Sequence, residues 1–155
     1  MRRIAIVLCL VACFLVFTTS AFAANPTSVP DAVSWLRTQQ QSDGGFETAG
    51  FPGFETPDAV LTIAENAQTS DQWSKSKAWL AVMATKTSGN KSPLDWVDNW
   101  VEGPLDAGQV ANIVVLVAEP LGLNSMDVDP KNDSSKPINL LKIIDGMQSN
   151  GSYGT

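Results

Sequence analysis

Histidine is absent from the chain, and cysteine occurs only twice, at Cys9 and Cys13. The missing histidine removes the commonest general base and the commonest zinc ligand. Basic side chains are few: 10 stand against 16 acidic ones, for a net charge of −6. They form no cluster, which makes nucleic acid and anionic membrane surfaces poor partners. No segment alternates apolar and polar residues for long, so strands are not expected. The glycine pairs close helical stretches rather than open them. Gly44-Gly45 and Gly151 therefore do not suggest a phosphate-cradling loop.

The two cysteines lie in a segment with a character of its own. Arg2-Arg3 precedes an apolar run from Ile4 to Phe17, followed by Thr18-Thr19-Ser20-Ala21-Phe22-Ala23-Ala24. A basic start, an apolar middle and small residues at the −3 and −1 positions predict a secretory signal peptide over 1–23, cut after Ala23. Two alternatives remain open. One is a retained anchor, for which the run is short against the roughly 20 residues of a span. The other is a lipoprotein cut at Cys13 after Leu10-Val11-Ala12, although Phe14-Leu15-Val16-Phe17 stays apolar where a lipoprotein turns polar. After cleavage at Ala23 the mature chain, 24–155, has no cysteine. That excludes disulfides, a thiol nucleophile and thiolate ligation there. Losing Arg2 and Arg3 leaves 8 basic side chains against 16 acidic, a net charge of −8. The expected location is secreted or at the cell surface, and about 130 residues can bury a modest core.

The remaining chain is organised around Ala32–Phe46, an amphipathic helix that runs into Gln39-Gln40-Gln41 and then an Asp43-Gly44-Gly45 turn closed by Phe46. A degraded copy ends the chain, from Ile143 to Thr155, with Gly151 and Tyr153 in the same register. Each copy is preceded by a proline, Pro30 and Pro137, as expected of an internal repeat. Ala32, Trp35, Leu36, Gln40 and Gly44 fall on a known spacing, with Phe46 where tryptophan is usual. In this the stretch resembles the QW repeat of terpenoid cyclases and the related repeat of protein prenyltransferase β-subunits. It departs from that pattern at Asp31, where a basic residue is usual. The second copy departs at Lys142 and Met147, which replace the aromatic and the glutamine.

The chain order predicts six helices. Ser28 and Asp31 form a capping signature for the first, which runs to about Gln40 with Ala32, Trp35, Leu36 and Gln39 on its inward face. Thr56 is the expected cap of the second, whose stripe is Ala59, Val60, Ile63 and Ala64. The third covers Ser74–Thr85, and its all-round apolar middle, Ala78–Ala84, suggests cover on both sides. Ser92-Pro93 opens the fourth, which ends near Val101 with Trp96 and Trp100 on one face. Asp106 opens the fifth, with Val110, Ile113, Val114, Val117, Ala118 and Leu121 at core spacing; Pro120 ends or kinks it and Gly122 closes it. After a polar loop over Asn124–Lys136, Ser135-Lys136-Pro137 opens the sixth, with Leu140, Ile143, Ile144 and Met147 on its stripe.

The fold class is thus all-α, built of antiparallel helical hairpins that need stacking neighbours to bury both faces. The resemblance implies that they form part, about half, of an α/α toroid. The domain over 24–155 is then incomplete, and further toroid repeats or a partner chain would complete it.

Several groups invite a functional reading. Trp35, Trp73, Trp79, Trp96 and Trp100 could line a cavity for an apolar or cationic ligand, although packing explains them as well. Asp58 and Asp106 sit at helix starts, where pairing with the helix dipole is a sufficient role. Asp127-Val128-Asp129 resembles the polyene-protonating motif of squalene-type cyclases but lacks its two adjacent acids, because Pro130 and Lys131 follow. Lys131 also spoils an EF-hand-like calcium loop, leaving Asn132 and Asp133 as weak ligands at most. The Asp, Cys and His zinc set of the prenyltransferases cannot be assembled, and the Gly-Cys-Gly-Glu-Gln thioester stretch of complement-type toroids is missing. No catalytic, cofactor-binding or metal-ligating residue is assigned, and no cofactor is expected. The resemblance implies an exported toroid repeat domain acting as a binding or surface-interaction module. Its ligand would be a small hydrophobic or cobalamin-like molecule, because the cobalamin carriers of the transcobalamin type share the toroid. The alternative is the first part of a terpenoid-cyclase-like enzyme whose catalytic acid lies further along.

Overall fold

A computed structural model describes residues 28–47, 54–67, 72–126, 128, 138–149 and 152–153. They form an all-α arrangement of six helices: α1 (Val29–Thr38), α2 (Glu55–Glu65), α3 (Lys75–Ala84), α4 (Pro93–Val101), α5 and α6 (Leu140–Gly146). α5 is continuous but has three parts, namely Ala107–Asn112, a π-helical stretch Ile113–Ala118 and Glu119–Leu121. Strand structure among the described residues comprises the antiparallel pair β1 (Gln148–Ser149) and β2 (Ser152–Tyr153), one bridge between Val128 and Ile138, and a bridge residue at Gln72.

Most helix starts follow the local chemistry of the sequence. Ser28 Oγ accepts from the Asp31 N–H, Ser74 caps α3 through the Lys77 N–H, and Ser92 and Asp95 form a reciprocal box at α4. Asp106 Oδ1 accepts from the Gln109 N–H at 2.8 Å while Gln109 Oε1 accepts from the Asp106 N–H at 2.9 Å. Each pairing satisfies N–H groups that a helix start leaves without partners. At the far end of α5, Gly122 is left-handed with φ +72. The Leu123 N–H reaches back to the Ala118 carbonyl and the Gly122 N–H to the Glu119 carbonyl, closing the helix as a Schellman turn.

Three local expectations change. Thr56 does not cap α2. The cap position is Phe54, two residues earlier, and buried Thr56 Oγ1 instead accepts from the Phe46 N–H at 2.8 Å, while Glu47 Oε1 accepts from the Thr56 N–H. α6 is capped by Asn139, whose side chain accepts from the Lys142 N–H, rather than opened at 135–137, which lie outside the described residues. The cause is the bridge to Val128, whose two backbone hydrogen bonds hold Ile138 extended. In α1 the buried residue is Val33, with Leu36 and Gln40 half-buried, whereas Trp35 and Gln39 are exposed. The inward face is therefore rotated from the stripe through Trp35 and Gln39.

The core runs through the middle of the helices. α2 packs against α1, α3, α4 and α5, and α6 packs against the first part of α5. Ile63, Leu94, Ile113 and Leu140 are its largest fully buried side chains, each contributing roughly 1.5–3 kcal/mol by removal from water. The π-helical stretch lies against α2 and carries buried Ile113, Val117 and Ala118. Widening the helix there shifts its hydrogen bonds from i−4 to i−5 just ahead of Pro120, which has no N–H to give.

Candidate functional site

The first glycine turn joins distant parts of the chain. The Gln41 N–H donates to the Gly45 carbonyl and the Gly44 N–H to the Gln41 carbonyl, closing the turn on itself. Gly44 has φ +100, and a Cβ there would stand 2.1 Å from the Ser92 carbonyl oxygen. Only glycine allows both the left-handed backbone and this approach to the start of α4. Gln40 Nε2 donates to the Gly44 carbonyl at 2.9 Å and reaches the Thr85 carbonyl at 3.5 Å. Gly45 lies beneath Trp96, whose Cδ1 a Cβ would approach to 2.5 Å, and Phe46 is buried beside it in the core. The turn thus locks the exit of α1 to the α3–α4 connection and delivers Phe46 toward α2.

That placement opens a cleft of about 370 Å³ between α1 and α2. α1 lines it with Trp35, Leu36 and Gln39, and Phe46 closes one side. α2 lines it with Glu55, Asp58, Ala59 and Thr62, which recur at i, i+3, i+4 and i+7 and so share one helix face. Trp35 is 49% exposed, which leaves much of its indole open to a visitor. Among the described residues the lining carries two carboxylates, Glu55 and Asp58, and no cationic side chain. Thr62 Oγ1 donates back to the Asp58 carbonyl, and Gln39 Nε2 donates to Thr38 Oγ1, so these two are held within their own helices. Glu55 is different. Its Oε2 is closed off from water and has no hydrogen-bond partner. Most buried polar side-chain atoms have a hydrogen-bond partner, and this one does not.

The tryptophans do not converge on one cavity. Trp35 lines the cleft, while Trp73 Nε1 donates to the Ala64 carbonyl at 3.0 Å. Trp96 and Trp100 pack against one another with ring centroids 4.8 Å apart, and Trp79 packs on the core. Asp58 lies in the cleft, whereas Asp106 caps α5. Asp127, Asp129, Asn132 and Asp133 lie outside the described residues, as does 1–27 with the expected leader and both cysteines. Among the described residues no group of three or more metal-ligating acids comes together. No described helix is long and apolar enough to cross a membrane. Sequence reasoning missed Glu55 as a lining residue, although its three-residue spacing from Asp58 was a usable signal. Comparison with protein-family models, with curated proteins and with solved structures returns no match.

Proposed function

We propose that this chain is an exported repeat domain of the α/α-toroid type that works as a small-ligand binding module. The observation that carries the reading is the cleft between α1 and α2: a concave, largely apolar volume with a few polar groups converging on it. Its size lies at the low end of the roughly 300–1,000 Å³ usual for ligand sites. The toroid part of the reading draws support from the first repeat. There the glutamine at the repeat position, Gln40, braces the turn glycine, Gly44, and the turn docks on the next hairpin at Ser92. Docking of this kind lets hairpins be added in series, each burying the face of the one before.

Binding is tested by following tryptophan fluorescence and thermal midpoint of the purified protein against a panel of small aromatic and aliphatic compounds. A saturable response that Trp35→Leu weakens is the expected result. A panel with no saturable response would remove the cleft as a binding site.

A further inference from the structure

We infer that the α1–α2 cleft takes an organic cation: a primary ammonium or guanidinium group carried on a compact apolar body. The inference rests on the cleft being a binding site and assigns the chemistry of its ligand. Three features of the wall point the same way. Trp35 offers a half-open indole, whose negative face attracts a cation held over it. Leu36, Phe46 and Ala59 supply the apolar surface for the body. Glu55 and Asp58 supply two carboxylates on one face of α2, with no cationic side chain among the described lining residues to neutralise them.

Glu55 then selects among cations. Its Oε2 is buried and unpartnered, so a ligand N–H that draws the carboxylate toward the cleft gives that oxygen the donor it lacks. Exposed Asp58 remains solvated and adds mainly charge. A metal ion is a poor fit, because two carboxylates fall short of the six to eight oxygens that calcium gathers. An anionic ligand would face both carboxylates without a counter-charge. An ammonium that can donate should therefore outcompete a quaternary one, which offers charge but no N–H.

The test compares phenethylammonium with phenethyl alcohol, phenylacetate and phenethyltrimethylammonium by titration calorimetry on the purified protein. Phenethylammonium should bind about tenfold more tightly than the alcohol, as expected for a hydrogen bond to a charged group, with the quaternary probe between them and phenylacetate weakest. Glu55→Gln should erase the advantage of the ammonium over the alcohol, and Asp58→Asn should reduce it. Glu102→Gln, beyond the cleft, should leave it intact. Far-UV circular dichroism checks that each variant is folded; should Glu55→Gln fail to fold, Asp58→Asn decides. Equal binding of ammonium and alcohol would overturn the inference while leaving the cleft a binding site. Failure of all four probes to bind would overturn both. An unchanged preference in folded Glu55→Gln, or in folded Asp58→Asn where that variant decides, would also overturn the inference.

Discussion

Gly44 carries more of the fold than its size suggests. Its φ of +100 strains any residue with a Cβ, and that Cβ would also meet backbone, the Ser92 oxygen at 2.1 Å and carbon at 2.9 Å. Gly103 has neither problem to the same degree, since a Cβ there would meet only the Trp100 oxygen, at 3.3 Å. Gly44→Val should therefore lower stability by well over the ~1 kcal/mol of a left-handed β-branched residue, and by more than Gly103→Val. Thermal midpoints measured side by side check this; equal losses would count against it. Thr56 makes a second case. Replacing it with Val strands the buried Phe46 N–H that its hydroxyl accepts, at a cost of about 1–3 kcal/mol, whereas Thr56→Ser keeps the acceptor and should cost less. Urea midpoints of the two variants separate these outcomes. The sequence disclosed Gly44, because a glycine after a helix and three glutamines has one common use. It could not disclose Thr56. A threonine ahead of Pro57 and Asp58 has the local pattern of a cap, and only the tertiary approach of Phe46 reassigns its hydroxyl.

Helix starts show how far local chemistry reaches. Ser74, Ser92 and Asp106 cap where their residue types predict, because each N–H partner lies three residues away in the sequence. Asp106 and Asp58 look alike in the sequence, yet they differ in structure. Asp106 exchanges hydrogen bonds with Gln109, while Asp58 projects into the cleft. Asp106→Ala should cost about 1 kcal/mol, and Asp58→Ala a few tenths at most through the helix dipole, as chemical denaturation would reveal. Three features of the elements were not legible. The start of α6 is set by a backbone bridge to Val128, which lies ten residues away along the chain. The inward face of α1 was misjudged because Trp35 reads as core in any pattern, yet it borders a cleft. The π-helical stretch is Ile113-Val114-Val115-Leu116-Val117-Ala118, an unbroken apolar run that carries no periodicity to reveal a change of hydrogen-bond register. The candidate site shared this limit. Trp35 and Asp58 stood out individually, but nothing in the sequence showed that they face one space with Glu55 between helices.

At the scale of the whole molecule the question is what covers the outer faces. The apolar middles of α3 and α5 predict cover on two sides, and among the described residues each helix keeps an exposed apolar side chain. Ala78 and Val82 are buried, while Leu80 on the same helix is 59% exposed; Val110, Ile113 and Val117 are buried, while Val115 is 62% exposed. Met126 and Leu141 add further exposed apolar side chains. Scattered singly they are ordinary; joined into an apolar surface of more than a few hundred Å² they would mark a contact face. Under the toroid reading, additional hairpins would lie against such a face. Residues 24–155 studied alone should then be helical by far-UV circular dichroism, broad in their melting and prone to dimerise or to bind a hydrophobic dye. Leu80→Lys combined with Val115→Lys should lower dye binding with little change in the thermal midpoint, since neither side chain is buried. Adding several hairpins to the chain should sharpen the transition and lower dye binding without any substitution. A monomer that melts sharply and ignores the dye would instead be a self-sufficient helical domain, its exposed leucine and valine no more than ordinary surface residues.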